Sequence, residues 1–586
     1  MGAIFGFTGA PDPARLTAMQ TALAHRGNEL ASVSTGTATI GVLPALSASE
    51  AAAAHARGMV TSGIGRSGDI VVALAGYLLA SSEVPSLSVL AERFGAEGVA
   101  CLRPLRGAFV IAIVDHDRLI VVRDGGGVRT AYHLTHAGRR YFAVEPKAIV
   151  NTPGFARRIR PAAVAQYLSY SFLPGETTML EGVHELLPGQ WIDLAAAQPT
   201  SHMYFDVLAR LDEGGAARSE ADWLEEFRAL HAAAVRERAP RGEKVAVFLS
   251  GGLDSSVVTA ELCKQHDGNI QTFSIHFGPE HPNELSYAEA VAKRCGTEHH
   301  EVHLDPNQFL PRLRKIIWHL DDPIGDPITA PNFELAERVR KHARWAFNGE
   351  GGDPLFGGPK NIPMMLHHWY GGIERDDSFR ARMYLQSYRR SYEEWPVLMA
   401  PDWAKQVDAK RDLEDLLTPY FDATRPAGLL NKLSLINIKL KGAHLILPKV
   451  DRMTGASGLL TLSPLFDERL LQFSFAMPPT LKLCAGIEKI ALKRAYQNDL
   501  PEQIIARPKS GMRVPVQQWF RGPLRAYAQE VLSEAAVAKA GIFDPKRVAK
   551  LLAYESEEGP GRFGLRLWML LTFELWRRIV VEGEAP

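Results

Sequence analysis

Cysteine is scarce in this chain: Cys101, Cys263, Cys295 and Cys484 are the whole complement of 586 residues. They lie far apart, at none of the spacings that hold zinc or form a redox motif, so a disulfide framework and a cysteine metal site are excluded. The pattern fits a reducing cytoplasm, with each thiol expected as a small buried apolar group. An excess of either charge is also missing. Lys plus Arg equals Asp plus Glu at 66 each, which gives no footprint for nucleic acid or an anionic membrane. Long apolar runs are absent too. The most apolar late stretch, Leu565 to Phe573, carries Arg566 and is too short to span a bilayer. The first residues, Met1 to Phe7, show neither a basic region nor an apolar core, and Gly6 stands where a myristoylation signal needs Ser or Thr. No repeat or low-complexity segment appears. A cytoplasmic protein with no membrane or nucleic-acid partner is expected.

What is present divides in two. Up to about residue 200, short β-branched runs dominate: Ile4 to Phe7, Ile70 to Leu74, Ala108 to Val114 and Leu119 to Arg123. Helical patterns at Pro13 to His25 and Ser86 to Phe94 separate some of them, so an α+β layered domain is expected. Turn and linker signals cluster between Gly189 and Gly215, which sets a boundary near residue 210. From Trp223 onward helical periodicity takes over, interrupted by strands at Lys244 to Leu249, Ile270 to Phe277 and Ala343 to Phe347. Alternation of this kind predicts an α/β fold with a doubly wound parallel sheet and ligand at the carboxyl ends of its strands. Phe379 to Glu582 is mostly helical. Its last helix carries Leu565, Trp568, Leu571, Leu575 and Trp576 on one broad apolar face, expected as core.

The chemistry concentrates at Val245 to Leu262. An apolar strand breaks at Ser250-Gly251-Gly252 and resumes as a helix from Asp254. Glycines let the backbone approach a ligand, and the fresh helix start offers unpaired N–H groups with a positive dipole end. Ser250, Ser255 and Ser256 add hydroxyls. Asp254 beside a phosphate needs a cation between them, so the stretch reads as a pyrophosphate cradle with a Mg2+ ligand. A second glycine-rich loop, Phe347 to Gly358, carries Glu350 and Asp353 after another predicted strand. If both strands share a sheet, Asp254 and Asp353 point into one crevice and can share one Mg2+. Leu447 to Thr454 packs Lys449, Asp451 and Arg452 together, as a site or as a solvated helix start. Ile505 to Pro515 holds Lys509 in a basic loop; on pattern alone a surface loop is the simpler reading.

Together these residues resemble a known family. Ser250-Gly-Gly-Leu-Asp-Ser-Ser256 is similar to the pyrophosphate loop of ATP pyrophosphatases. Glu350-Gly-Gly-Asp353, Lys449-Val-Asp-Arg-Met-Thr454 and Arg507-Pro-Lys509 follow in the order seen in glutamine-dependent asparagine synthetases. Ala24-His-Arg-Gly27, Leu105 to Phe109, Val122 to Gly125 and Leu187-Pro-Gly189 extend the likeness to the first region. The resemblance implies an N-terminal glutamine amidotransferase-like domain (1–210, Ntn-hydrolase type) and a C-terminal synthetase domain (211–586) that uses ATP and Mg2+. Carried over, Leu249 to Ser256 with Gly349 and Gly351 would hold ATP and pyrophosphate, and Ser274 and Ile275 would line the adenine side. Asp254 and Asp353 would bind Mg2+. Lys509 would neutralise developing charge, with Glu350 at the substrate end beside Lys449, Asp451 and Arg452.

Departures from the family are as informative. Its glutaminase nucleophile is a cysteine, where this chain has Gly2, and its Asn-Gly-Glu stretch reads Ala75-Gly-Tyr77. A hydrogen atom cannot do thiolate chemistry, so the first domain is expected to be inactive. Leu460 and Leu462 replace a Glu and an Arg of the family's synthetase domain, which argues against aspartate as substrate. Pro354 and Pro359 are also unusual, and His367-His368 reads as packing or substrate lining. Relatives without the cysteine include β-lactam synthetases and lasso-peptide cyclases, in which an amine on the same molecule attacks the activated carboxylate. The resemblance therefore points to an ATP-dependent amide synthetase of specialised metabolism, cyclase-like, with a precursor peptide and leader protease as partners. An ammonia-using asparagine synthetase, a β-lactam synthetase and a non-catalytic binding subunit are the alternatives, and a homodimer stays open.

Overall fold

The computed structural model describes residues 1–586 except 28, 80–83, 216–217, 359–364, 366–377, 389, 509–510 and 554–562. Lys509, Pro359, His367 and His368 therefore lie outside the described residues.

The first two hundred residues form two six-stranded antiparallel sheets. One is centred on Ala3–Thr8, paired with Ala38–Leu43 on one side and Arg139–Ala143 on the other. The second is centred on Ile70–Leu79 and Gly107–Asp115, whose eight-residue register puts Ala75 opposite Val110. Their inner faces share one core: Phe5, Phe7, Val71, Ala73, Ala75 and Val110 are all buried in it. The outer face of the second sheet is covered by the helix Leu87–Glu97, through Leu87, Leu90, Ala91 and Phe94. Ser86 caps that helix by accepting from the Val89 N–H, which satisfies one of its orphan donors. Alternation of β-branched residues inward and outward made the sheets readable. Glycine-interrupted strands such as Met59–Ser67 carried a weaker signal.

The second half holds a five-stranded parallel sheet in the spatial order Glu298–His303, Ile270–His276, Val245–Phe248, Trp345–Phe347, Leu460–Leu462. Two of these strands escape the hydrophobic pattern. Glu298–His303 is a polar edge strand, and Leu460–Leu462 has only three residues. From Val245–Phe248 the chain builds outward on one side through Ile270–His276 and Glu298–His303. It then returns to place Trp345–Phe347 on the opposite side. The reversal between Val245–Phe248 and Trp345–Phe347 is a topological switch point, where the loops after neighbouring strands diverge and leave a crevice.

Helices cover this sheet. In the last one, Phe563–Trp576, Trp568, Leu571, Leu575 and Trp576 are buried while Leu565 is only partly covered. Of the four cysteines only Cys101 is buried; Cys484 lies exposed on a short hairpin, and Cys263 and Cys295 are half-buried between two helices. Among the described residues no helix is long and apolar enough to cross a membrane.

Candidate active site

A cavity of about 250 Å³ opens at the switch point. Its floor is the loop after Val245–Phe248. Ser250 N–H donates to Ser255 Oγ at 3.2 Å, and Gly252 N–H donates to Ser250 Oγ at 3.3 Å, so the loop curls over the start of the helix Leu253–Gln265. Gly251 sits at φ +74°, and a Cβ there would stand 2.7 Å from Ala288 N, so this turn requires glycine. No side chain caps the helix start, and the first N–H groups of a helix have no intrahelical acceptor. Ser250, Gly252, Asp254 and Ser255 line the cavity. Ser256 does not: its hydroxyl donates to the Gly252 carbonyl at 2.8 Å and so braces the turn.

The second loop follows Trp345–Phe347. Asn348 is fixed by its N–H to the Leu462 carbonyl and by its side chain to Ser463 Oγ, both at 3.0 Å. Gly349, Glu350, Gly351 and Asp353 follow on the cavity wall. The two loops touch closely. A Cβ on Gly349 would meet Ser255 N at 2.4 Å, and one on Gly352 would meet Asp254 Oδ1 at 2.1 Å. Glycine at both positions is what brings Asp254 and Asp353 side by side.

Their carboxylates converge on a residue that sequence reasoning missed. Lys489 Nζ donates to Asp254 Oδ1 and Oδ2 at 2.7 and 2.6 Å and pairs with Asp353 as well. Lys489 is 1 % exposed, at φ +57°, just before the helix Ile490–Ala495. Its one sequence signal is a lone cation between a glycine hairpin and an apolar helix start.

The other predicted residues separate into two groups. Leu249, Ser274 and Ile275 line the cavity from the ends of the central strands, and Ser274 Oγ donates to the Leu249 carbonyl. Lys449 also lines it, with Nζ on Asp326 Oδ2 at 2.7 Å. Lys449 beside Asp326 overcomes the effect of burial and holds that carboxyl at about 2. Lys509 itself is not described. Its neighbour Arg507 donates to the Gly251 carbonyl at 3.3 Å and pairs with Glu284, and Met512 reaches the cavity wall.

Asp451, Arg452, Leu460 and Leu462 are corrected. The helix Leu447–Gly455 turns Lys449 and Val450 to the cavity and the next two residues away from it. Asp451 pairs with Arg26 at 3.0 Å and with Arg129. Arg452 pairs with Glu145 at 2.9 Å and Asp321 at 3.2 Å, and Arg26 reaches Glu145 at 2.5 Å. These buried charges seam the antiparallel sheets to the parallel-sheet half. Leu460 and Leu462 belong to the edge strand of the parallel sheet. Leu460 faces a separate small cavity beside Gly2, and Leu462 is fully buried.

That small cavity is about 20 Å³ and is lined by Met1, Gly2, Ser62, Gly76, Tyr77 and Leu460, among others. It has room for about one water molecule. A Cβ on Gly2 would lie 2.4 Å from the Leu43 carbonyl oxygen and 2.7 Å from Ser62 Oγ. The Gly2 carbonyl accepts from Arg129 at 2.6 Å. Ala75 is wholly buried between the sheets.

A family model described as asparagine synthase matches residues 226–578. The chain belongs to the asparagine synthase family. A glutamine amidotransferase domain model matches 83–205. Curated relatives in the family include asparagine synthetase [glutamine-hydrolyzing] 1 of Bacillus subtilis, 25% identical over 82% of this chain and 78% of that protein. A putative asparagine synthetase of Mycobacterium bovis is 28% identical over 83% and 79%. Amidase chry2 of Gibberella zeae is 24% identical over 79% and 78%. The synthase match contains both cavity loops and Lys489.

Proposed function

We propose that this chain is an ATP-dependent, AMP- and pyrophosphate-forming amide synthetase that activates a carboxylate and joins it to an amine without hydrolysing glutamine. Residues 1–210 are then a retained scaffold and 211–586 the synthetase. The observation that carries the synthetase half is the convergence of Asp254 and Asp353 beside a serine- and glycine-built helix start at the switch point. Two carboxylates already directed at one cation suit Mg2+, which takes one or two carboxylates and completes its shell with phosphate oxygens and water. Bound there, Mg2+ would neutralise the triphosphate and its pyrophosphate leaving group.

The chain's own groups account for the remaining steps. The Ser250–Ser255 turn and the N–H groups behind it receive the pyrophosphate, as the carboxylate oxygen displaces it from the α-phosphorus. Lys489, paired with both Asp254 and Asp353, holds these carboxylates together where that leaving charge collects. Glu350 on the wall takes a proton from the attacking amine, AMP leaves, and the amide forms. Lys509 contributes its charge at the tetrahedral stage.

Glutamine independence is supported by Gly2, which offers no side chain as nucleophile, and by the close contacts a Cβ there would make with the Leu43 carbonyl and Ser62. The amine therefore comes from solution or from the substrate itself, as in a cyclase acting on a precursor peptide. The test is pyrophosphate release by the full chain with ATP and a panel of carboxylic acids, with free ammonia, with added amines and with glutamine. Turnover with an amine, unchanged by glutamine and without glutamate release, is the expected result. Glutamate release overturns the glutamine-independent reading.

A further inference from the structure

The cavity has two unlike halves. One is built by the strand-end loops: the phosphate turn at Ser250, and Leu249 and Ile275 on the adenine side. The facing half comes from helices and from the loop after Arg507. Its described side chains are Ile328 and Leu335, Ile446 and Val450, and Met512. Asn332, Lys449 and Thr454 are the polar members. Lys449 is the one cation the described wall offers, and its ammonium is already seated on Asp326 at 2.7 Å. The neighbouring arginine and aspartate on the same helix, Arg452 and Asp451, are committed to the seam with the first half.

We propose that this helical half is the acyl subsite and that it takes a monocarboxylic acid with an apolar body, aliphatic or aromatic, in preference to a dicarboxylate. The inference rests on the amide-synthetase reading. The attacking carboxylate must reach the α-phosphate from the side opposite the phosphate turn, so the body of the acid lies against Ile328, Leu335, Ile446 and Val450. Among the described lining residues a second carboxylate meets only Lys449, whose ammonium is already seated on Asp326, and burying a poorly paired charge is costly. An apolar group meets a wall that gains by covering it. Met512, 37 % exposed, adds a flexible thioether to this lining.

The experiment is ATP–pyrophosphate exchange by the full-length enzyme with isovalerate, phenylacetate, succinate and aspartate as acids. The two apolar acids are expected to support exchange at least about tenfold faster than the two dicarboxylates, the scale on which a pocket discriminates by apolar fit. Ile328→Arg, at a half-buried position, should reverse the order, and Met512→Arg, at an exposed one, should shift it the same way. A melting-temperature shift with ATP in each variant shows that nucleotide binding persists. Exchange as fast or faster with succinate or aspartate overturns the inference and leaves the synthetase reading standing. Absence of exchange with all four acids, despite an ATP-induced shift, overturns the inference of a simple apolar acid, and the synthetase reading is then decided by the pyrophosphate-release panel.

Discussion

Lys489 Nζ lies within 2.7 Å of both oxygens of Asp254. A buried ammonium between two carboxylates from different loops stores electrostatic order at the point where the triphosphate is to be cleaved. Lys489→Ala removes the described ammonium that pairs with both Asp254 and Asp353. The expected outcome is a loss of roughly 100-fold or more in pyrophosphate exchange, the scale of removing one preorganised charge-stabilising group. Asp254→Asn should cost at least as much. Exchange near the wild-type rate in Lys489→Ala would remove Lys489 from the reaction.

Gly2→Cys should not restore glutaminase activity. The new Cβ meets a backbone oxygen and a hydroxyl that cannot both retreat, so the substitution is expected to destabilise by about 1–3 kcal/mol, as overpacking does. Glutamate release from glutamine and the urea midpoint are the two measurements. Glutamate release by this variant would show that the small cavity opens.

At the seam, Arg26→Met leaves Asp451 and Glu145 each with one fewer partner in a buried site, and Asp451→Asn leaves Arg26 and Arg129 without the anion they share. Breaking a buried pair from one side costs about 3–5 kcal/mol. Each single variant should lower the urea midpoint accordingly. Equal stability of variant and wild type would mean that the seam is solvated.

Glu468 gives the pH dependence. It is buried, accepts the Gly107 N–H at 3.2 Å, and is pushed up to about 8 by burial, with Asp467 beside it adding to the rise. A carboxyl raised in the fold prefers its proton there more than in the unfolded chain, where it titrates near about 4.3. Its contribution is therefore complete below about pH 4 and is lost as pH rises through about 8. Glu468→Gln, which keeps an uncharged group in place, should flatten that alkaline decline. Urea midpoints between about pH 5 and pH 9 are the check, and parallel curves for the two proteins would count against it.

Much of the site was legible because its signals are local. A strand, two glycines, hydroxyls and a helix start within Val245 to Leu262 dictate one geometry, and the second glycine loop needed only a shared sheet to meet it. What could not be read was direction across the fold. Lys449, Asp451 and Arg452 lie on one short helix, and charge alone does not say which of them faces a cavity and which a neighbouring layer. Leu460 and Leu462 point to the substrate side only through the family positions they occupy, and three residues are too few to announce the strand they form. Lys489 reaches Asp254 across 235 positions of sequence, a contact set by the packing of the helix after it. The polar strand Glu298–His303 carried none of the apolar alternation that reveals its neighbours.

The Arg26, Asp451, Glu145 and Arg452 seam has a consequence for how such a protein changes over time. Cutting the chain between its halves would strand charges of both signs on freshly exposed faces, each shaped for a partner no longer attached. Substitutions in the first half away from Arg26, Arg129 and Glu145 leave this seam in place, while removal of that half demands many compensations at once. The two halves therefore stand or fall together in stability, whatever chemistry either of them keeps.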